Sequence, residues 1–444
     1  MRGLLPFCLL AAACTTETPN PPDAATGNHP PPRVIAGGGI GDGAIDGVVN
    51  LYVVDDATRM PIPGATVRIG TGATAIDGMT DPTGLFSAQG VTGPQTVIAK
   101  ATGYRSALWI GANGANLTID LQTAVAPDPG HANLSGQITG FAGITVPAGH
   151  TKLASVTYAQ SDTLGDAANN LKTDGNANTC AAAGCPFTVN VRTGQVGLLA
   201  AIFDVDTKGT QSTADDTATL IRFAYRGGIT VVDGVDQAAQ DLTLIDPAST
   251  SAATIAFGTP PAALTSVAAL VGIETADGVY QVPVLHAPTE TAAFSVPALA
   301  AMGSTGYRLT GIAQTTAGDA GNQSVVLRHA QPTATLAAGT WLAPLTGTTV
   351  SRTAASWTAE DGATVIDLEY TQGSATVTHL LDVTVLDGST SVAIPDLVAL
   401  PATGVLDAKL SAFGTTGLDV TSFGLDADRD KLDRIGAQPT TISD

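Results

Sequence analysis

Short stretches in which apolar and polar residues alternate one by one dominate the chain from Gly47 onward: Val49-Asn50-Leu51-Tyr52-Val53, Ala65-Thr66-Val67-Arg68-Ile69 and Leu117-Thr118-Ile119-Asp120-Leu121. Successive side chains of a β-strand point to opposite faces, so alternation with period two makes a strand with one buried and one wet face. Gly, Pro and Asp punctuate these runs at intervals of about ten residues, the spacing of turns in sandwiches and barrels. No comparably long stretch carries its apolar side chains at helical spacing. The expected fold class is therefore all-β, and 444 residues suffice for roughly three or four domains. Hydrophobic residues make up 44% of the chain but aromatics only 5%, so the cores must be filled mainly by Val, Ile, Leu and Ala. Asp and Glu number 39 against 19 Lys and Arg, a formal net charge of −20. That balance repels a phosphate backbone and argues against nucleic acid as a partner, leaving cations, sugars or a neutral protein surface.

The first residues read differently. Met1-Arg2-Gly3 supplies a positive start, an apolar stretch follows, and Leu10-Ala11-Ala12-Ala13-Cys14 ends on small residues. This is the grammar of an export signal, too short to span a bilayer. The ending resembles the lipobox of bacterial lipoproteins, although that family usually has Leu where this chain has Ala11. The resemblance implies cleavage after residue 13, acylation of Cys14 and a membrane partner reached through the lipid anchor. The alternative is an ordinary secretory signal cut nearby. Thr15, where Asp would retain a Gram-negative lipoprotein at the inner membrane, implies an outer-membrane address in the cell envelope. Residues 14–44 are rich in Pro and Gly without apolar periodicity and read as a disordered tether.

Residues 45–123 carry a set of spaced motifs: Val53-Val54-Asp55, Pro61-Ile62-Pro63-Gly64-Ala65-Thr66-Val67, Thr80-Asp81-Pro82-Thr83-Gly84-Leu85-Phe86 and Ala101-Thr102-Gly103-Tyr104. Together they resemble the carboxypeptidase regulatory-like domain, which implies a small transthyretin-like β-sandwich with Val67, Phe86, Val97 and Tyr104 in its core. In metallocarboxypeptidases this module accompanies a zinc peptidase domain. None of the six histidines here has Glu three residues later, so the peptidase motif is missing. The family is also classed with carbohydrate-binding-like folds, a likeness of fold that supplies no site.

A second sandwich is expected over 131–247, containing Cys180 and Cys185. In an exported protein a disulfide between them is the default, closing so short a loop that it staples locally. The remainder repeats: Val267 and Val365, Pro297 and Pro395, Leu299 and Leu397, and Gly306 and Gly404 each lie 98 residues apart. That period suits two tandem sandwiches, 250–345 and 346–444. Trp341 and Trp357 are expected to fill cores, with an exposed sugar-stacking platform as the alternative.

Chemistry-bearing constellations are few. Asp426, Asp428 and Asp430, followed by Asp433, place carboxylates at relative positions 1, 3 and 5, the spacing by which a loop wraps oxygens around Ca²⁺. The EF-hand pattern then fails, with Lys431 where Gly belongs and Ala437 where Glu belongs, and a solvated acidic turn is the competing reading. Asp204-Val205-Asp206 with Asp215-Asp216 is a shorter cluster of the same kind. Glu274 with Asp277 or Glu290, and Glu360 with Asp361, are the acids a glycosidase pair would draw on, though sequence proximity says nothing of their separation. No nucleophile elbow, His-Glu-x-x-His motif, phosphate loop or Cys/His cluster is present. The expectation is a non-catalytic, lipid-anchored envelope protein serving as a structural or binding module, with an envelope protein or polysaccharide as partner. A carbohydrate-binding or Ca²⁺-dependent adhesion protein is the alternative, and Ca²⁺ the one cofactor considered.

Overall fold

The computed structural model describes residues 30–160, 176–178, 185–209, 217–246, 250–284, 291–304, 306–315, 321–373, 376–425, 427–428 and 431–443. Among them the chain is all-β: strands joined by turns and by single-turn 3-10 helices, with no α-helix. Four hydrophobic cores organise the sheets.

One core lies between a five-stranded sheet and the strands Thr66–Ile69, Gln95–Lys100 and Ser106–Ala112, and is filled by Val49, Leu51, Val67, Val97, Trp109 and Leu117. The five-stranded sheet runs in the order Phe423–Gly424, Gly39–Gly41, Asn116–Leu121, Asp46–Asp55 and Leu85–Thr92. A second core sits between the long strands His150–Gln160, Gly194–Asp206 and Thr217–Val231 on one side and His131–Thr139, Cys185–Arg192 and Leu242–Thr243 on the other. The other two cores lie under three-stranded sheets, one of Thr250–Ala256, Thr291–Pro297 and Thr335–Ala337, the other of Thr346–Val350, Ala354–Thr358 and Ser391–Ala393. Trp341 fills the first of these, its indole N–H donating to the Phe257 carbonyl at 2.7 Å, and Trp357 fills the second. The 98-residue offset also has a structural counterpart. Leu299 and Leu397 both lie in short 3-10 helices, Leu299–Met302 and Asp396–Val398, that closely follow Pro297 and Pro395.

Three of these bodies are joined by one twelve-stranded sheet. Its order is Gly278–Val284, Ser266–Thr275, Tyr307–Gln314, Gln323–Gln331, Leu432–Ile442, Leu406–Thr415, Val365–Gln372, Thr378–Val385, Ser106–Ala112, Gln95–Lys100, Thr66–Ile69 and Ile76–Met79. Two junctions make it continuous. Gln323–Gln331 pairs antiparallel with Leu432–Ile442, and Thr378–Val385 pairs parallel with Ser106–Ala112 in the register Leu381↔Ser106, Val383↔Leu108 and Val385↔Ile110. Each strand at a junction would otherwise present a row of unpaired N–H and C=O groups. The burial pattern follows from this. Trp109 faces the 45–123 core, whereas Leu108 and Ile98 face the core beneath Trp357, so these strands are apolar on both faces.

The reading of residues 14–44 as a tether is corrected from Arg33 onward. Ile35 and Ile40 are buried, and Gly39–Gly41 is a strand paired on both sides, with Asn116–Leu121 and with Phe423–Gly424. Arg33 bonds Asp42 at 2.7 Å, and the Ile35 N–H donates to Thr118 Oγ1 at 2.8 Å. The glycines here serve close approach: a Cβ on Gly39, at φ +133°, would lie 2.0 Å from the Phe423 carbonyl oxygen. Residues 1–29 lie outside the described residues.

Candidate functional site

The twelve-stranded sheet has two covered faces where the 45–123 module meets the C-terminal strands. In Val365–Gln372, Ile366, Leu368 and Tyr370 point into the core beneath Trp357; in Thr378–Val385, Leu381, Val383 and Val385 do the same. The alternate residues Val365, Asp367, Asp382 and Thr384 then face the opposite way, as period two demands. There they meet the five-stranded sheet, and the two surfaces flank a half-open cavity of about 450 Å³.

Its polar wall comes from both sheets. Asp120, near the end of Asn116–Leu121, and Asp56, in the turn after Asp46–Asp55, face Arg59, whose Nη1 lies 3.2 Å from Asp120 Oδ2 and 3.4 Å from Asp56 Oδ1. Arg59 reaches the cavity from a left-handed backbone, φ 57°, a strained conformation for a side chain with a Cβ. The turn is over-determined. Asp55 Oδ1 accepts from the Thr58 N–H and hydroxyl at 2.7 and 2.8 Å, and Asp55 Oδ2 accepts from the Tyr104 hydroxyl at 2.9 Å. On the facing sheet, Arg105 lies 3.0 Å from Asp382 and 3.5 Å from Glu369, and Glu369 in turn meets His379 Nδ1 at 2.6 Å. Trp109, Leu386, Phe413, Leu418, Phe423 and Leu425 form the apolar wall.

The electrostatics follow from depth and crowding. Burial, reinforced by the neighbouring Asp56 carboxyl, pushes Asp120 up to about 7 against the pull of Arg59. Burial and Asp382 push Asp367 well above the carboxylate range, opposed by Arg105. Burial disfavours the Arg105 charge too, but the carboxylates of Asp382, Asp367, Glu369 and Asp120 outweigh it and raise the guanidinium's affinity for its proton. Asp120 and Asp382 nonetheless keep 15% and 21% of their side-chain surface, because that surface faces the cavity.

Of the residues singled out from sequence, Asp428 borders this cavity. Its carboxylate accepts from the Gly424 N–H at 2.9 Å and pairs with Lys431 at 2.8 Å. Asp433 instead meets Arg434 Nε at 2.9 Å and accepts from Thr416. Asp428 and Asp433 are thus each neutralised by a separate cation, and Asp426 and Asp430 lie outside the described residues. Among the described residues no three His, Cys, Asp or Glu side chains are grouped to hold a metal ion. Cys185 is buried at the head of Cys185–Arg192; Cys14 and Cys180 lie outside the described residues. Asp204 meets His150 Nδ1 at 2.8 Å and Asp206 meets Lys208, a chain of surface ion pairs. Glu274 is held by Arg308 at 2.6 Å, while Asp277 accepts from Tyr225 and the Gly228 N–H, both at 2.8 Å, so each acid is occupied separately.

Sequence reasoning missed the cavity residues Asp56, Arg59, Arg105, Asp120, Asp367 and Asp382. The one available signal was the outward-facing acids of two strands that pair with each other, Asp367, Glu369 and Asp382, and in a lone sandwich such a row is an ordinary wet face.

No family model matches the sequence, and no curated protein matches it. Among solved structures, the TIE protein of Bacillus anthracis is similar over 66% of this chain and 49% of its own, at 10% identity and a TM-score of 0.15. The shaft pilin SpaA of Lactobacillus rhamnosus GG is similar over 45% of this chain and 97% of its own, at 11% identity and TM-score 0.14. A Ca²⁺-stabilised adhesin with which an Antarctic bacterium binds ice covers 90% of this chain and 98% of its own, at 13% identity and TM-score 0.13. This chain spans about half the length of the TIE protein, and likenesses this slight carry no argument about its role.

Proposed function

We propose that the chain is a non-catalytic, lipid-anchored protein of the cell envelope, exported to the outer membrane, which presents a stiff row of β-sandwiches and takes a ligand in the cavity between residues 45–123 and the C-terminal strands. The observation that carries this reading is the cavity itself. Polar groups from two sheets converge on one half-open cleft that is otherwise lined by apolar side chains, the usual composition of a small-ligand site. The continuous sheet supports the scaffold role, since backbone hydrogen bonds tie the sandwiches together across both junctions. The exposed-platform form of carbohydrate binding finds no support: every described Trp, Tyr and Phe side chain is buried or half-buried.

The anchor and the domain plan belong to the same proposal. Acyl chains contribute about 0.8 kcal/mol per buried CH₂, so lipidation at Cys14 would hold the protein on a membrane. The variant Cys14→Ser is expected to move the protein from the membrane to the soluble fraction; undiminished membrane association would overturn the anchor. The sandwich boundaries 45–123, 131–247, 250–345 and 346–444 imply that limited proteolysis cuts first at the junctions, near 124–131 and 247–250. First cuts inside the sandwiches would overturn that plan. A Cys180–Cys185 bridge is proposed with them. Its support is that Cys185 is buried and held in a disulfide, with its partner outside the described residues.

A further inference from the structure

The cavity divides by chemistry. One wall holds four aspartates, Asp56 and Asp120 from one sheet and Asp367 and Asp382 from the other, against the two arginines Arg59 and Arg105. Part of Arg105 is already committed to Glu369, which stands behind the wall, and Asp428 at the rim is matched by Lys431. The polar wall therefore carries more acid than base. Two of its acids are raised by their surroundings, Asp120 by burial and the neighbouring Asp56, Asp367 by burial and the neighbouring Asp382. Asp120 and Asp367 therefore keep their protons to a higher pH than free carboxyls do. These two protons occupy the place of a cation. The rest of the lining is apolar and partly aromatic, with Trp109 and Phe413 coming from the same twelve-stranded sheet as Asp367 and Asp382, and Phe423 from the five-stranded sheet.

Resting on the reading of this cavity as a binding site, we infer that its ligand is an organic cation: a primary ammonium or guanidinium group carried on an apolar stem. Such a group brings several N–H donors and one positive charge to a wall where four aspartates have only two arginines between them, and displaces the protons held by Asp120 and Asp367 as it enters. Its stem lies along Trp109 and Phe423, where the ring faces also favour a nearby cation. An anion meets like charge at the same wall. A neutral molecule of the same shape leaves those protons in place and gains only the apolar contact. A bare metal ion is disfavoured, because no three acid or imidazole groups among the described residues are placed around one point. The groups facing the displaced protons are Asp56, Arg59, Arg105, Glu369 with His379 behind it, Asp382, and Asp428 with Lys431.

The test is calorimetric titration of the full mature chain with hexylammonium, hexanol and hexanoate, at pH 8 and pH 5, in two buffers of different ionisation enthalpy. Hexylammonium is expected to bind with proton release, about tenfold more weakly at pH 5 than at pH 8. Asp367→Asn and Asp120→Asn, on opposite sheets, should each weaken it about tenfold, the weight of one charge-assisted contact, with near-ultraviolet circular dichroism unchanged. A peptide with one central lysine, acetyl-Gly-Lys-Gly-amide, separates two sources of the same chemistry. Tighter binding of the peptide assigns the site to a partner's side chain, and tighter hexylammonium to a free amine. If hexanol binds as well as hexylammonium and neither variant matters, the cavity is a ligand site but the cation assignment is wrong. If none of the probes binds, the reading of the cavity as a site fails with it.

Discussion

Replacing Gly197 by alanine is expected to destabilise the protein by about 3–5 kcal/mol, the cost of expelling a fully buried aromatic ring. A Cβ at that position would stand 1.4 Å from the Tyr280 hydroxyl oxygen and 2.7 Å from its ring. The backbone there is not left-handed, so space and not conformational strain decides the outcome. Tyr280 is fully buried where the sandwich containing Gly194–Asp206 packs on the one containing Gly278–Val284. Its ring meets Tyr225 edge-on, centroids 5.2 Å apart at 89°, and both hydroxyls donate to Asp277, at 3.4 and 2.8 Å. If Tyr280 moves, the buried Asp277 loses a donor and its core loses one of its largest side chains. Gly197 sits beside a register irregularity between Val196 and Leu198, which brings the backbone against the hydroxyl. Urea unfolding checks the prediction, with Gly143→Ala as control, since nothing lies within 4 Å of a Cβ there. A midpoint for Gly197→Ala equal to that of the control would refute the packing argument.

The second large effect is one of pH. Asp120 binds its proton more tightly in the folded chain, at about 7, than at its ordinary value of 3.8, and Asp367 is raised in the same sense. Between those values the native state holds protons that the unfolded chain has released. Stability therefore falls as pH rises from about 4 to 7 and levels off above. A full three-unit shift corresponds to about 4 kcal/mol at the usual 1.4 per unit, an upper figure for a side chain that still faces a wet cavity. A loss of about 2 kcal/mol between pH 5 and pH 8 is the expected result. The opposite limb belongs to Asp55 and Asp81. Burial works against the Asp55 charge but the hydrogen bonds of Thr58 and Tyr104 outweigh it, and the Thr83 hydroxyl holds Asp81 low. Their contribution is lost as pH falls below about 4, so the optimum lies at mildly acid pH. In Asp120→Asn the decline above pH 5 should flatten while the acid limb stays. Urea midpoints at several pH values measure this, and a variant whose profile parallels the native one would show that Asp120 is not responsible.

The period-two runs determined the all-β class by themselves, because alternation along a strand is a local property that no distant contact is needed to read. Val49, Leu51 and Val53 are buried as their alternation requires, and so are Leu117, Ile119 and Leu121, while Asn50, Tyr52 and Thr118 between them are buried as well, which the alternation does not encode. The turn glycines were legible for the same reason, Gly64 and Gly84 taking positive φ. What the wet faces of those strands would meet was not local. Asp367 and Asp382 read as solvent-facing positions, and only the parallel pairing of Thr378–Val385 with Ser106–Ala112 laid a second sheet over them. The Gly37-Gly38-Gly39 run reads as slack chain until the Phe423 carbonyl, almost four hundred residues away in sequence, is seen to need the space a Cβ would take. The alternation of a strand decides which side chains share a face, but whether that face meets water or another sheet is decided by pairings between strands far apart in the chain, and one strand's pattern does not encode them. The acids became a site only because those pairings took them out of water together.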